Sequence, residues 1–187
     1  MAVGKMTAGL ELYSHYLQKK ENIGFVATGQ IGITVTGNGI PLDAFKVDHA
    51  CGAVEQIILD QKVKDVVIIE GQGSLLHPGS TATLPLMRGS CPTHLILCLR
   101  AEKQTLRSPE NIKIPDLKEF INLNESLCSV FGTYPQSKVI GIAANTSTFS
   151  MLESEQYIAV LEEGLQLPVT DPIRFGVDKL AKAIEVS

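Results

Sequence analysis

The chain has 187 residues, of which 44% are hydrophobic and 19% charged, which is the composition of one soluble globular domain with an ample core. Its formal net charge of −4 provides no basic surface to neutralise nucleic-acid phosphates, so nucleic acid is excluded as an expected partner. No apolar run approaches the ~20 residues of a membrane span and no signal sequence opens the chain, so we expect no membrane contact and a cytoplasmic protein.

Apolar spacing predicts an alternation of helices and strands. Apolar residues recur at helical spacing over Met6–Gln18, and the apolar run Gly24–Ala27 predicts a short buried strand. Residues 31–42 contain several glycines and a proline, and we interpret them as an irregular loop or hairpin. The remaining chain predicts, in order, helix Asp43–Gln61, strand Val66–Ile69, strand His94–Leu99, helix Pro115–Cys128, strand Lys138–Ala143, helix Leu152–Glu163, strand Leu167–Thr170 and helix Val177–Ile184.

This alternation predicts the α/β class, with a mainly parallel sheet and helices on both of its faces. Continuous apolar strands such as Val66–Ile69 are typical of strands buried on both faces. The four cysteines include no CxxC pair and three lie inside apolar runs, so we expect them to be reduced core residues. We expect residues 1–187 to form a single domain.

The first residues of the chain match the second half of a phosphate-binding loop. In such a loop, consecutive backbone N–H groups form an anion nest that a lysine at a helix N-terminus completes. The run is Ala2-Val3-Gly4-Lys5-Met6-Thr7, which makes Gly4, Lys5, Met6 and Thr7 candidate phosphate-binding residues. A loop of this kind connects a strand to the helix that follows. We therefore expect this chain to be the C-terminal domain of a longer protein, with its first residue inside the loop.

A polar, glycine-rich segment follows the predicted strand Val66–Ile69. Ligands of open parallel sheets bind at the carboxyl ends of the strands, where this segment is expected. A carboxylate at Glu70 would stand where a phosphate-loop protein holds Mg²⁺ or its water shell, and the alternative is a carboxylate that caps a strand in a glycine turn. His77 is a candidate general base, and Gln72 and Ser74 are candidate substrate contacts.

Further polar residues follow other predicted strands or open a helix. Asn145 ends the strand that begins at Lys138, where an amide can contact a nucleotide base, although Asx turns give the same pattern. Asp43 is expected to cap the helix that contains Asp48. The remaining candidates for contacting a substrate are Thr28, Gln30, Asp48 and Arg100, each of which has an ordinary structural interpretation as well.

The chain resembles the C-terminal domain of the DgcN-type family. Three segments carry the resemblance: the Ala2–Thr7 loop, Val26–Gln30 and, above all, the string Glu70–Pro78. Members of that family were long described as a domain of unknown function, and some act as D-glutamate N-acetyltransferases. The resemblance therefore implies a three-layer phosphate-loop fold, acetyl-CoA as co-substrate and an amino acid such as D-glutamate as acceptor. The loop and the Glu70-Gly71 turn are also distantly similar to dethiobiotin synthetase, which implies ATP and Mg²⁺ instead.

Three hypotheses stay open at this stage. In the first, Lys5 holds the phosphates of coenzyme A, Arg100 or Arg88 holds a substrate carboxylate, and Glu70 or His77 deprotonates the attacking amine. In the second, an ATP-dependent ligase or kinase uses Lys5 on the phosphates, Glu70 near Mg²⁺ and Asn145 at the base. In the third, the domain binds a ligand or a partner without catalysis. Met6 stands where phosphate loops ordinarily place a hydroxyl ligand of Mg²⁺, which favours coenzyme A over a hydrolysable triphosphate. Homo-oligomerisation is left open.

Overall fold

A computed structural model describes residues 3–101, 104–106 and 109–186 of the chain. Ala2, the first residue of the predicted loop fragment, lies outside the described residues. Seven α-helices and five β-strands lie within them. In chain order they are α1 Lys5–Gln18, β1 Ile23–Val26, α2 Gln30–Thr36, α3 Val47–Leu59, β2 Val66–Ile69, α4 Thr83–Ser90, β3 His94–Arg100, α5 Leu117–Ser129, β4 Lys138–Asn145, α6 Met151–Leu165, β5 Val169–Thr170 and α7 Asp178–Val186.

Every strand pair is parallel, as the alternating pattern predicts. Strand β1 pairs with β2, β3 pairs with β4 along its length, and β4 pairs with β5 over two residues. In the described part of the chain no strand joins β2 to β3, so the strands form one two-stranded and one three-stranded sheet. The predicted α/β class is confirmed, and the sheet is divided into two halves.

Helices cover both faces of the strands. Helices α1 and α7 pack together on one face through Leu12, Tyr16 and Leu180, and the Tyr16 hydroxyl donates to the Ala181 carbonyl at 3.1 Å. On strand β4, Ala143 joins that cluster, whereas its neighbours on the strand join a separate cluster beneath α6. Because successive strand residues point to opposite faces, the two clusters lie on opposite sides of the sheet. The three-layer arrangement follows from this alternation.

Two short helices differ from the predicted pattern. The interpretation of residues 31–42 as a loop or hairpin is wrong over α2, and α4 was not predicted at all. Each of them buries a single residue, Gly32 in α2 and Leu86 in α4, so neither carries the apolar stripe by which a helix is recognised. The predicted cap at Asp43 is also wrong, because this residue lies in a short 3-10 turn and Lys46 precedes α3.

Strands β2 and β3 are less buried than their apolar sequences predict. Each of their residues keeps partial exposure, whereas all four residues of β1 are buried. The physical reason is the division of the sheet, because one edge of β2 and one edge of β3 face a cavity instead of a neighbouring strand.

Candidate functional site

The predicted phosphate loop ends in a left-handed glycine at the start of a helix. Gly4 has φ 96° and ψ 17°, a conformation that glycine adopts without a steric penalty, and α1 begins at the next residue. The Gly4 carbonyl accepts the Ala8 N–H at 2.9 Å. A methyl group at Gly4 would lie 4.0 Å from Asn145 Nδ2. Two residues predicted for one site, Gly4 and Asn145, are therefore neighbours.

Lys5 is a half-buried cation between the two halves of the sheet. Its side chain passes so close to the backbone of Gly71 that a methyl group there would lie 3.1 Å from Lys5 Cδ. Burial lowers the pKa of Lys5 below its ordinary value, and Cys98 and Glu70 oppose this shift. Burial raises the pKa of the Cys98 thiol to about 11, which leaves Glu70 as the other acidic group that acts on Lys5.

The Glu70 carboxylate is buried against the end of β1. Its Oε2 accepts the Thr28 N–H at 3.3 Å, and its carbonyl accepts the Thr28 hydroxyl at 2.9 Å. A methyl group at Gly32 would lie 2.5 Å from Glu70 Oε2, so helix α2 approaches this carboxylate closely. Thr28 itself is fully buried, and its side chain holds the ends of β1 and β2 together.

The turn after Glu70 is held by a chain of short-range hydrogen bonds. The Ser74 N–H donates to the Ser80 hydroxyl at 3.0 Å, and the Thr83 hydroxyl donates to the Gln72 carbonyl at 3.0 Å. His77 Nδ1 accepts the Gly79 N–H at 3.1 Å. Since that nitrogen is an acceptor, the neutral His77 ring carries its proton on Nε2.

Most of the predicted site residues line one of two cavities. The larger has a volume of about 1190 Å³ and is lined by Lys5, Gln72, Ser74, His77 and Arg100. The smaller has a volume of about 170 Å³ and is lined by Gly4, Thr7 and Asn145, together with Asp171 and Arg174. The loop at the start of α1 therefore stands between the two cavities, with Lys5 on one side and Thr7 on the other.

Five of the predicted residues line neither of these cavities. Glu70 and Thr28 are buried beneath the turn, Met6 lies on the first turn of α1, and Gln30 and Asp48 are exposed at the starts of α2 and α3. The structure thus brings the loop together with the ends of β2, β3 and β4, and leaves Gln30 and Asp48 outside. Arg88, the second arginine considered for a substrate carboxylate, lies over the Tyr134 ring at 5.5 Å from its centroid.

Asp171 is a buried carboxylate of the smaller cavity that the sequence interpretation missed. It follows β5 and accepts the Thr146 N–H at 2.9 Å and the Thr146 hydroxyl at 2.6 Å. Its other oxygen accepts the N–H groups of Ile173 and Arg174. Burial alone raises the pKa of Asp171, but these hydrogen bonds outweigh it and hold the pKa below its ordinary value. A polar residue directly after an apolar strand is the same signal that singled out Glu70 and Asn145.

The described residues contain no group of three or more His, Cys, Asp or Glu side chains that could hold a metal ion. No helix in the described part of the chain is long and apolar enough to cross a bilayer. Glu70 remains the residue from which any Mg²⁺ site of this turn would be built, and it interacts electrostatically with Lys5.

Comparison with known proteins decides the family. Residues 1–181 match the family described as "Domain of unknown function (DUF1611_C) P-loop domain". The chain belongs to this family. A member of it from Anabaena variabilis, known from a crystal structure, is 44% identical and superposes with a TM-score of 0.97 over 100% of this chain and 55% of that one. The phosphate-loop fold that the resemblance implied is confirmed.

Two curated relatives carry the name D-glutamate N-acetyltransferase. One, from a Pseudoalteromonas species, is 33% identical over 180 residues, which are 96% of this chain and 54% of that protein. The other, from Tritonibacter scottomollicae, is 33% identical over 184 residues, which are 98% of this chain and 55% of that protein. The resemblance stated from the sequence is confirmed, and the chain spans about half the length of the curated relatives that it matches.

Proposed function

We propose that this family member takes part in N-acetylation of D-glutamate, with acetyl-CoA as the acetyl donor. The observation that carries the proposal is the identity to two D-glutamate N-acetyltransferases along nearly the whole chain. The loop at Gly4 and Lys5 supports it, because a helix N-terminus with an adjacent lysine favours a phosphate group such as those of coenzyme A.

Lys5 and Arg100 are the cations that we assign to ligand anions. Both line the larger cavity, and within the described part of the chain Arg100 Nε is buried without a hydrogen-bond partner. A buried donor of this kind gains most from a carboxylate or phosphate, since an arginine binds such groups through two parallel hydrogen bonds. We assign Lys5 to a phosphate of the donor and Arg100 to a carboxylate of the acceptor.

The reaction needs one proton acceptor. The ammonium of the acceptor first loses one proton to the base and becomes a neutral amine. The amine attacks the thioester carbonyl, a C–N bond forms and the C–S bond breaks, and the second proton leaves the nitrogen and is taken up by the released thiolate. His77 lines the larger cavity, whereas the Glu70 carboxylate lies outside it and is bonded to Thr28. We therefore assign proton removal to His77, which requires the Gly79 contact at Nδ1 to open, and charge compensation of Lys5 to Glu70.

A second candidate is an ATP- and Mg²⁺-dependent ligase or kinase. It is favoured by the phosphate-loop family itself and by the proximity of Gly4 to the Asn145 amide, which is suited to a nucleotide base. In this function Glu70 would have to turn from Thr28 toward a metal ion.

Calorimetric titration of the purified chain with coenzyme A and with ATP, each with and without Mg²⁺, separates the candidates. We expect coenzyme A to bind without Mg²⁺. Turnover is measured as thiol released from acetyl-CoA with D-glutamate, with L-glutamate as control and the Pseudoalteromonas enzyme as positive reference. Binding of ATP only with Mg²⁺ would overturn the acetyltransferase proposal in favour of the second candidate. Binding of neither ligand would leave a non-catalytic domain.

A further inference from the structure

The loop after β3 forms one wall of the polar end of the larger cavity. Two short arms of this loop, residues 104–106 and 112–114, lie antiparallel and are joined by backbone hydrogen bonds of 2.8 and 2.9 Å. Thr105 and Lys113 stand opposite each other in the two arms, so their side chains share one face. Both residues line the cavity. Lys113 is therefore a cation of the site that the sequence interpretation did not consider.

The ammonium group of Lys113 is available to a ligand anion. The residue is exposed, and within the described part of the chain no ion pair or hydrogen bond engages its side chain. The loop that carries Lys113 begins directly after Arg100, whose buried Nε lacks a hydrogen-bond partner among the same residues. The end of β3 and the loop that follows it therefore present two unpaired cations to one cavity.

The polar end of this cavity carries a surplus of positive charge. Lys5, Arg100 and Lys113 line the cavity, and the acidic residues that line it in the described part of the chain are Asp65 and Asp116. Asp65 precedes β2 and so lies at the opposite end, whereas the Asp116 carboxylate accepts two backbone N–H groups at the start of α5. Because one acid is remote and the other is engaged, the polar end favours a ligand with more than one negative charge.

We propose that Lys113 binds the side-chain carboxylate of a dicarboxylic amino acid, while Arg100 binds its α-carboxylate. The assignment rests on the proposed function for the identity of the acceptor. His77 lines the cavity from the turn after β2, across from the loop that carries Lys113. An acceptor held at Arg100 through its α-carboxylate can turn the adjacent amine toward His77, and its side chain then extends along the loop to Lys113.

A carboxylate suits Lys113 better than a phosphate of the acetyl donor does. The site favoured for a phosphate is the helix N-terminus at Gly4 and Lys5, whereas Lys113 lies on a separate segment that follows Arg100. An ammonium group is a point charge with three donors, so it binds a single carboxylate without the fixed geometry that a guanidinium imposes. A dicarboxylate engages both unpaired cations, and a monocarboxylate engages one of them.

The experiment compares D-glutamate with D-glutamine, in which an uncharged amide replaces the side-chain carboxylate. Calorimetric titrations use the unchanged chain and the variants Lys113→Met, Lys113→Arg and Arg100→Met. The matched control is Lys118→Met, at an exposed lysine that lines neither of the two cavities. Thermal unfolding checks that each variant is folded.

We expect Lys113→Met to bind D-glutamate at least about tenfold more weakly and D-glutamine with unchanged affinity, because only D-glutamate loses a charge-assisted contact. Lys113→Arg keeps the charge and retains the preference for D-glutamate. Arg100→Met weakens the binding of both amino acids about equally, since both carry an α-carboxylate. Lys118→Met binds both as the unchanged chain does.

Equal affinity of Lys113→Met and the unchanged chain for D-glutamate would overturn the proposal, and so would an equal loss for both amino acids. Absence of D-glutamate binding by the unchanged chain would overturn it too. A loss confined to coenzyme A would assign Lys113 to a phosphate of the donor instead. The proposed function has a different readout, which is thiol release from acetyl-CoA. Binding of D-glutamate that depends on Lys113, without thiol release, would support the assignment of Lys113 and overturn the proposed acetyl transfer.

Discussion

The substitution Gly32→Ala tests how the buried carboxylate of Glu70 is held in place. A methyl group at Gly32 would lie 2.5 Å from Glu70 Oε2 and 2.8 Å from the Cβ of Ala27, both well inside van der Waals contact. Moving the carboxylate away would lengthen its hydrogen bond from the Thr28 N–H, which is 3.3 Å in the structure. The variant Gly32→Ala therefore acts on the packing of α2 and on Glu70 at once.

The expected effect follows from three opposing contributions. Alanine in place of a helical glycine stabilises by ~0.5 to 1 kcal/mol. Against this, an added methyl group in a packed interior costs ~1 to 3 kcal/mol, and loss of a hydrogen bond to a charged group costs ~1.5 to 3 kcal/mol. We expect Gly32→Ala to lower the free energy of unfolding by about 2 to 5 kcal/mol, which for this chain length lowers Tm by about 4 to 20 °C.

Gly164→Ala is the matched control, because Gly164 lies in α6 and a methyl group there meets nothing within 4 Å. Thermal unfolding followed by circular dichroism compares the two variants with the unchanged chain. We expect Gly164→Ala to be as stable as the unchanged chain or slightly more so. A Gly32→Ala variant as stable as Gly164→Ala would refute the reasoning that α2 and Glu70 are in forced contact.

Three further outcomes are expected. Lys5→Ala weakens coenzyme A binding at least about tenfold by calorimetry, since a charge-assisted contact is worth ~1.5 to 3 kcal/mol. The control Lys182→Ala, at an exposed lysine, leaves the affinity unchanged. Equal affinity of the Lys5→Ala variant and the unchanged chain would remove Lys5 from the site. His77→Gln lowers kcat about a hundredfold or more with Tm unchanged, and full turnover would contradict its role as proton acceptor. Asp171→Asn lowers Tm at neutral pH. Because the pKa of Asp171 is depressed, its stabilisation is present above the unfolded value of about 3.9 and is lost as pH falls through the folded value, so wild type and variant converge in acid.

The elements that could be predicted from the sequence are those with a strong apolar period. Strand β2 and helix α1 were predicted from such patterns within one residue of their observed bounds. Helices α2 and α4 are not predicted because each buries a single residue. Their stability comes from tertiary contacts instead of a local apolar pattern. The close approach of Gly32 to Glu70 is one such contact, and no local sequence pattern predicts it.

The sequence predicts which residues lie near the candidate site better than it predicts the directions of their side chains. Gln72 and Arg100, predicted from the rule that polar residues at strand ends line a binding crevice, and Lys5, predicted from the loop fragment, line one cavity. The same rule placed Glu70 at the correct end of β2, but its side-chain direction depends on the Thr28 N–H, which a linear sequence does not reveal. Asp171 directly follows the predicted strand Leu167–Thr170 and carries the same strand-end signal, but its contact with Thr146 exists only in the folded chain.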